Sequence, residues 1–339
     1  MRNKLPILLA LSLCVLAIAP LLRSLDWRQL IAFARPTTVP PPNAMNATKG
    51  SGGSSSPLGE GQSVGTGSGP TAPPTPGRTK PQTLIDYSVQ AVEGQQYISA
   101  QVSESGEMLA HPLAGSGRYF EVRQGPIPMI HLEMTLQIDT VSTSLVQVCD
   151  NRGTFWTYSK LPNRETLSKL DAVRAITALD QAAGRMPPGN IMTTPGFGGL
   201  GRLMRGVNAE FDFATASPDE LDGTPVWKLT GGWKQNELAR LLPEQKDAAA
   251  KGRPFNLARL PARLPDGVVA YLRRTDYFPL RIDYLRGATG SSPQCLLSIR
   301  FSDVSFRGPI DSSQFLFTPG SLEFNDRTDD FVRKLGVER

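Results

Sequence analysis

A block of alternating residues near the C-terminus constrains the fold of this chain most strongly. Residues 264–319 contain three short β-prone runs that are separated by turn-forming residues. In the second run Leu280, Ile282 and Tyr284 alternate with polar neighbours, and the third run, residues 295–301, repeats the pattern. A period of two is typical of strands with one buried face and one solvated face. The block therefore predicts three antiparallel strands and a short tail that ends at Pro319.

The same alternation recurs earlier in the chain. In residues 130–138 five apolar side chains, Ile130, Leu132, Met134, Leu136 and Ile138, alternate with four polar ones. Shorter alternations occur in residues 97–103, 119–123, 145–149 and 155–158, and in residues 119–123 Phe120 and Val122 form the apolar side. We expect one antiparallel sheet from Tyr97 to Tyr158, with the five apolar residues on a helix-covered face. Alternation alone does not separate a half-barrel from a sandwich.

Apolar residues at helical spacing favour the half-barrel. Helices are predicted at residues 82–93, 168–183, 197–205, 236–242 and 328–335. Two of them interrupt the run of strands, and they need an apolar surface to cover. The concave face of a curved sheet supplies that surface. Further strands are expected at residues 209–215 and 225–230, with a turn at 218–223 and an exposed connection at 243–261.

The C-terminal block resembles a known family in its pattern. A strand, Pro279 and a second strand are followed by a long strand and by a tail in which Ile310 and Asp311 precede Phe315, Phe317 and Pro319. This arrangement resembles the C-terminal half of the LolA/LolB-like lipoprotein-carrier superfamily, and the similarity extends over roughly residues 82–336. The resemblance implies an α+β fold: a highly curved antiparallel sheet, or incomplete β-barrel, with helices covering the concave face and an apolar cavity for acyl chains.

The N-terminus carries a membrane-targeting pattern. Arg2 and Lys4 precede an uncharged apolar run, residues 5–22, which Arg23 ends. This run is short for a membrane span and long for the core of a signal peptide. We interpret residues 1–35 as an uncleaved signal anchor, with a cleaved signal peptide as the alternative. Everything after Arg23 would then be extracytoplasmic, or periplasmic, and anchored to the inner membrane by residues 5–22.

Residues 36–80 are predicted to be a disordered linker. Gly, Pro, Ser and Thr dominate this stretch, which has no aromatic residue. Such a composition buries too little apolar surface to offset the entropy of ordering. Three units follow from this division: the anchor at 1–35, the linker at 36–80 and the LolA-like domain at 81–339.

Composition excludes several classes of function. The net charge is +5 and the basic residues are scattered, so nucleic-acid binding is not expected. Two histidines and three cysteines lie at no metal-ligand spacing, so neither a metal nor a cofactor is predicted. No serine lies in a nucleophile-elbow context, and His111 and His131 have no predicted catalytic partners. The chain is expected not to be an enzyme.

A glycine-rich stretch needs separate consideration. Gly196, Gly198 and Gly201 match the spacing of a dinucleotide-binding loop. That fingerprint requires a preceding strand within a βαβ unit, and neither is predicted here. The stretch is better interpreted as a hinge beside an apolar helix, which would suit a mobile lid, or as a plain loop.

Large apolar side chains are the candidate ligand-binding residues. They lie on predicted inner strand faces or on the predicted lid, residues 197–204, and ordinary core packing is the alternative role for each. The set comprises Met134, Leu136, Trp156, Phe197, Leu200, Leu203, Met204 and Trp227. Cys149 and Cys295 could form a disulfide in an extracytoplasmic domain, and two unpaired thiols are the alternative.

These patterns lead to two hypotheses about function. The first is a membrane-tethered extracytoplasmic carrier or chaperone module that binds the acyl chains of lipids or lipoproteins without catalysis. The second is a non-catalytic periplasmic interaction or regulatory domain, such as a stress sensor, with a filled core on the same fold and an envelope protein as partner. The volume of any cavity beneath residues 197–204 would discriminate between them.

Overall fold

The structure is a computed structural model, and it describes residues 80–108, 111–182, 196–288 and 293–336. The predicted anchor at 1–35 and nearly all of the predicted linker at 36–80 lie outside the described residues. In the described part of the chain, helices separate groups of consecutive strands.

Among the described residues, twelve strands form one sheet. Its order is β12-β6-β5-β4-β3-β2-β1-β11-β10-β9-β8-β7, and every pairing is antiparallel except that of β12 with β6. Because β12 and β7 lie at opposite ends, the sheet is not closed. The strands are β1 (Tyr97–Met108), β2 (His111–Val122), β3 (Met129–Ile138), β4 (Val141–Cys149), β5 (Thr154–Leu161), β6 (Arg164–Asp171), β7 (Phe211–Leu221), β8 (Thr224–Trp233), β9 (Gly267–Arg273), β10 (Pro279–Arg286), β11 (Gln294–Ser305) and β12 (Asn325–Asp326).

The helices lie before, between and after groups of strands. They are α1 (Pro81–Glu93), α2 (Ala172–Ala182), α3 (Gly199–Glu210), α4 (Gln235–Leu241), α5 (Lys246–Ala250) and α6 (Thr328–Lys334). Helix α3 packs against α1 and against β7, while α2 packs against α6 and β6. The result is an α+β fold, a large unclosed sheet with helices, which is consistent with an incomplete barrel.

The alternation in β3 decides which face of the sheet is buried. Ile130, Leu132, Met134, Leu136 and Ile138 are all buried, as predicted, and Tyr119 of β2 lies opposite Leu132. The Tyr119 hydroxyl accepts a hydrogen bond from the backbone of Leu200 at the start of α3. We call this helix-covered side the inner face. The prediction of one antiparallel sheet from Tyr97 to Tyr158 is confirmed.

Several predicted boundaries are wrong. Residues 168–171 were expected to begin a helix but complete β6, because Ser168 pairs with Thr157 across the β5–β6 hairpin. Helix α3 runs on to Glu210, so the strand predicted from residue 209 begins at Phe211. The turn predicted from residue 218 comes later, because β7 continues to Leu221 in register with β8. Cross-strand pairing overrides local propensity at residues 168–171 and 218–221.

Candidate functional site

Cross-strand pairing arranges the inner-face side chains of β1 to β5 in rows, because directly opposite residues share a face. One row contains Ala100, Tyr119, Leu132, Gln147 and Thr157. The next row contains Val102, Gly117, Met134, Leu145 and Ser159. A third row contains Glu104, Gly115, Leu136 and Thr143. The inner face is therefore apolar over its centre and carries isolated polar groups.

The lid segment, residues 197–204, lies on this face. Phe197, Leu200, Leu203 and Met204 are each at most 2% exposed. The Phe197 ring meets the inner-face ring of Phe155 edge to face, with centroids 5.1 Å apart. These four side chains belong to the same buried cluster as Met134 and Leu136. The structure thus buries six of the predicted ligand-binding residues in one apolar core.

The two predicted tryptophans differ, because Trp227 packs against the buried cluster and Trp156 does not. Trp156 was expected on the inner face, and this placement is wrong: its ring stacks on Phe317 at 5.6 Å, on the opposite side of β5 from Phe155. In β5 consecutive apolar residues face opposite sides, so the residue types alone do not show which one points inward. Trp227 is half-buried opposite Leu272, and the guanidinium of Arg274 lies 4.9 Å from its ring.

Glycines allow the lid to approach the sheet closely. Gly198 and Gly199 both have left-handed backbone conformations, with φ of 79° and 78°. A Cβ atom on Gly199 would lie 2.6 Å from the Glu121 carboxylate, and one on Gly196 would overlap the side chain of Gln147. Residues with a side chain would be strained at these φ values and would push the lid away from the sheet.

A buried polar group anchors the first turn of α3. The carboxylate of Glu121 accepts hydrogen bonds from the Tyr119 hydroxyl at 2.5 Å and from the Leu200 N–H at 3.1 Å, and it pairs with Arg123 at 2.5 Å. Burial raises the pKa of Glu121, while Arg123, Tyr119 and Leu200 oppose that rise. Burial and the neighbouring Glu121 raise the pKa of Tyr119 well above its usual value.

The buried Glu121 shows that the predicted orientation of β2 is wrong. The apolar side was expected to be Phe120 and Val122, yet Tyr119 and Glu121 face inward, opposite Ala100 and Ile98. Both inward side chains are 0% exposed. The orientation is stable because the buried carboxylate has a cationic partner and two hydrogen-bond donors. The residue types in β2 alone do not reveal that the fold brings a cation and two hydrogen-bond donors to Glu121.

A second inner-face carboxyl has no partner. Glu104 of β1 is 3% exposed, and its Oε1 atom has no hydrogen-bond partner. Burial raises the pKa of Glu104 to about 7. Gln147 of β4 is also fully buried, and neither its amide oxygen nor its amide nitrogen has a hydrogen-bond partner. Sequence reasoning missed Glu104, although it continues the alternation of Ile98, Ala100 and Val102.

An aromatic cluster lies on the outer face, the side of the sheet opposite the inner face. The ring of Trp156 contacts Phe317 and also Phe324, at 5.4 Å, where the C-terminal tail crosses the sheet. Leu316 is 69% exposed beside this cluster, and Leu322 is also exposed. We call Trp156, Leu316, Phe317, Leu322 and Phe324 the outer patch. A groove of about 510 Å³ runs along β6 beside Phe324.

The two cysteines considered for a disulfide, Cys149 and Cys295, are free thiols. Cys149 ends β4 and Cys295 lies in β11, and three other strands separate β4 from β11 in the sheet. Burial, with the nearby Asp150, raises the pKa of the Cys149 thiol to about 12. The proposed disulfide is not formed in this structure.

Membrane-spanning helices and metal-binding clusters can be assessed in residues 80–108, 111–182, 196–288 and 293–336, which the structure describes. In these ranges no helix has both the length and the apolar character needed to cross a membrane. The predicted anchor at residues 5–22 lies outside them. Nor do the described His, Cys, Asp and Glu side chains form a group of three or more that could hold a metal ion.

Comparisons with known proteins complete the description. No protein-family model matches the chain, and no curated protein matches it in sequence. Among solved structures it is similar to MucB, with 11% identity and a TM-score of 0.32, over 70% of this chain and 62% of MucB. It is also similar to the lipoprotein LppX of Mycobacterium tuberculosis, with 10% identity and a TM-score of 0.35, over 68% of this chain and 98% of LppX.

A further likeness concerns the superfamily named above. A LolA superfamily protein from Nitrosomonas europaea matches with 8% identity and a TM-score of 0.25, over 71% of this chain and 99% of that one. With TM-scores this low, these likenesses carry no argument about the site, which rests on the geometry described here. The chain is similar in structure to a member of the LolA superfamily, the superfamily that its C-terminal sequence pattern resembles.

Proposed function

We propose that the domain is a non-catalytic extracytoplasmic carrier that binds acyl chains of lipids or lipoproteins between its inner face and the lid segment. In this proposal residues 5–22 tether it to the inner membrane, and residues 36–80 form a disordered linker. The observation that carries the proposal is the apolar layer of Phe197, Leu200, Leu203 and Met204. A helix that begins at two left-handed glycines carries most of this layer, which belongs to the same buried cluster as Met134 and Leu136.

The free-energy cost of opening the lid segment should be high without a ligand and low with one. Lifting the lid without a ligand would expose several large side chains, at about 1.5–3 kcal/mol each. The ligand-free domain should therefore stay closed. An acyl chain on the inner face would replace those contacts, so opening and loading can occur together. The glycines at 198 and 199 allow the required backbone change.

Native mass spectrometry of the purified full chain, followed by lipid extraction, tests the proposal. The parent chain should carry co-purifying species with acyl-lipid masses. A variant with Leu200→Asp and Leu203→Asp should lose them while remaining folded by circular dichroism. The matched control is Leu316→Asp with Leu322→Asp, which introduces the same charges on exposed outer-patch residues and should retain the lipid.

Two results would remove the carrier proposal. One is a parent chain that carries no lipid and takes up no fluorescent acyl probe. The other is a folded lid variant that binds the probe as well as the parent does. Either result leaves the alternative below as the better account.

The alternative is a protein-interaction or regulatory domain on the same fold. The observation that favours it is the outer patch, where Leu316, Leu322 and Phe324 are exposed around Trp156. Exposed apolar clusters of this kind mark interaction surfaces. Under this alternative the Leu316→Asp, Leu322→Asp chain would lose an envelope protein partner that co-purifies with the parent. The lid variant, if folded, would keep it.

A further inference from the structure

An unpaired carboxyl, that of Glu104, lies on the inner face, away from the Glu121 carboxylate that bonds to Leu200. Glu104 lies opposite Gly115 of β2 and Ile299 of β11, and it shares a face with Val102. Its side chain is 3% exposed and its Oε1 atom has no hydrogen-bond partner. A buried polar group without a partner costs stability, so it needs an explanation other than packing.

The surroundings of Glu104 are apolar. Gly115 contributes no side chain, and the side chains nearest to the position of its missing Cβ belong to Leu136 and Met134. Ile299 closes the other side and is 2% exposed. No described Lys, Arg or His forms an ion pair with Glu104. The carboxyl therefore faces an apolar environment with hydrogen-bonding capacity unused.

The position of Glu104 relative to the lid suggests how a ligand would lie. Leu200, in the first turn of α3, bonds to Tyr119, which is four residues along β2 from Gly115. Four residues of a strand span about 14 Å. A ligand with its polar end at Glu104 would reach the lid segment with an apolar chain of about this length, if the lid segment lifts to admit it.

Building on the proposed function, we infer that Glu104 binds the polar end of the ligand, and that this end is an uncharged ester or amide carbonyl. A protonated carboxyl donates a hydrogen bond to such an oxygen. A free fatty acid would instead bring a negative charge of its own into an apolar site where no described cation pairs with Glu104, which is costly. Since burial raises the pKa of Glu104 to about 7, the protonated donor is present at and below neutral pH.

Photo-crosslinking of the full chain tests this assignment. Two probes with the same diazirine-bearing acyl chain are compared, one a methyl ester and the other the free acid, and labelled peptides are mapped by mass spectrometry. At about pH 6 the ester should label inner-face strands roughly three- to tenfold more than the acid does. Ester labelling should fall about tenfold between pH 6 and 8, as Glu104 loses its proton.

Variants isolate the role of the carboxyl. Glu104→Gln keeps a donor that does not titrate, so its ester labelling should be the same at both pH values. Glu104→Leu should reduce ester labelling at the lower pH without reducing acid labelling. Glu133→Gln is the matched control, because Glu133 is an exposed carboxylate on the outer face of β3, paired with Arg118 at 3.0 Å, and it should behave as the parent.

The outcomes distinguish failure of the role assigned to Glu104 from failure of the carrier proposal. Labelling of inner-face strands with no preference for the ester, and no effect of Glu104→Gln or Glu104→Leu, overturns the role of Glu104 and leaves the carrier proposal standing. No inner-face labelling by either probe overturns the carrier proposal itself. Stronger labelling by the free acid than by the ester overturns the assigned ligand class.

Discussion

The backbone N–H of Leu200 donates a hydrogen bond to the Glu121 carboxylate at 3.1 Å. This bond joins the first turn of α3 to β2, across 79 residues of sequence. A carboxylate beside the N-terminus of a helix also interacts favourably with the helix dipole. The closed position of the lid therefore depends on this buried charge as well as on apolar contact.

Removing that carboxylate should release the lid and destabilise the domain. Glu121→Ala leaves Arg123 largely buried without its partner, and a broken buried ion pair costs about 3–5 kcal/mol. Urea unfolding measures the loss of stability, and hydrogen exchange should show faster exchange of the Leu200 amide. Glu121→Gln keeps an acceptor and should lose less. An unchanged Leu200 exchange rate in Glu121→Ala would show that the bond does not hold the lid.

The left-handed glycines at the start of α3 should not tolerate a side chain. Gly199→Ala combines a left-handed backbone with a Cβ atom 2.6 Å from Glu121, so we expect a loss of about 1–3 kcal/mol in the free energy of unfolding. Gly223→Ala is the matched control, because its φ is also 78° but nothing lies within 4 Å of the added Cβ. If both variants lose the same amount, backbone strain alone accounts for the effect and contact with Glu121 contributes nothing.

Stability should fall as the pH rises toward neutrality, because of Glu104. Its pKa is about 7 in the folded chain against a usual value of 4.5, so the folded state binds more protons between these values. The free energy of unfolding then decreases from about pH 4.5 to about pH 7, by on the order of 3 kcal/mol, and levels off above. Urea unfolding of the parent and of Glu104→Gln across this range isolates the contribution.

The test depends on how the difference in unfolding free energy between Glu104→Gln and the parent changes with pH. Glu104→Gln should become more stable relative to the parent as the pH rises, because it has no charge to bury. Glu133→Gln, on the exposed outer face, should show no such trend. A parent that gains stability relative to Glu104→Gln with rising pH would mean that the Glu104 carboxylate has a stabilising partner.

The C-terminal tail should depend on Trp156. Its ring contacts Phe317 at 5.6 Å and Phe324 at 5.4 Å, and truncating a large aromatic residue in such a cluster costs about 3–5 kcal/mol when it is buried. Because Trp156 is only half-buried, we expect a smaller loss, with proteolysis appearing near residues 316–324. Trp227→Ala, on a distant strand, is the control. Equal protease resistance in both variants would contradict this role.

The strand pattern of β3 could be predicted from sequence because one face is apolar and the other polar without exception. Period-two alternation of this kind allows only one orientation of a half-buried strand. The same logic failed for Trp156 and for β2. In those strands apolar or amphipathic residues occupy both faces, so the burial of either side was compatible with the residue types.

Sequence alone therefore determined that the chain has amphipathic strands, helices between them and an apolar segment at residues 197–204, since each depends on local periodicity. Tertiary structure decided which face of β2 points inward, that residues 168–171 form a strand, and that Glu121 and Glu104 are buried. A buried carboxylate is stable or costly according to its partners, and these come from distant parts of the chain. Glu121 meets Leu200 only through the fold, and Glu104 remains unpaired because no cation is brought to it.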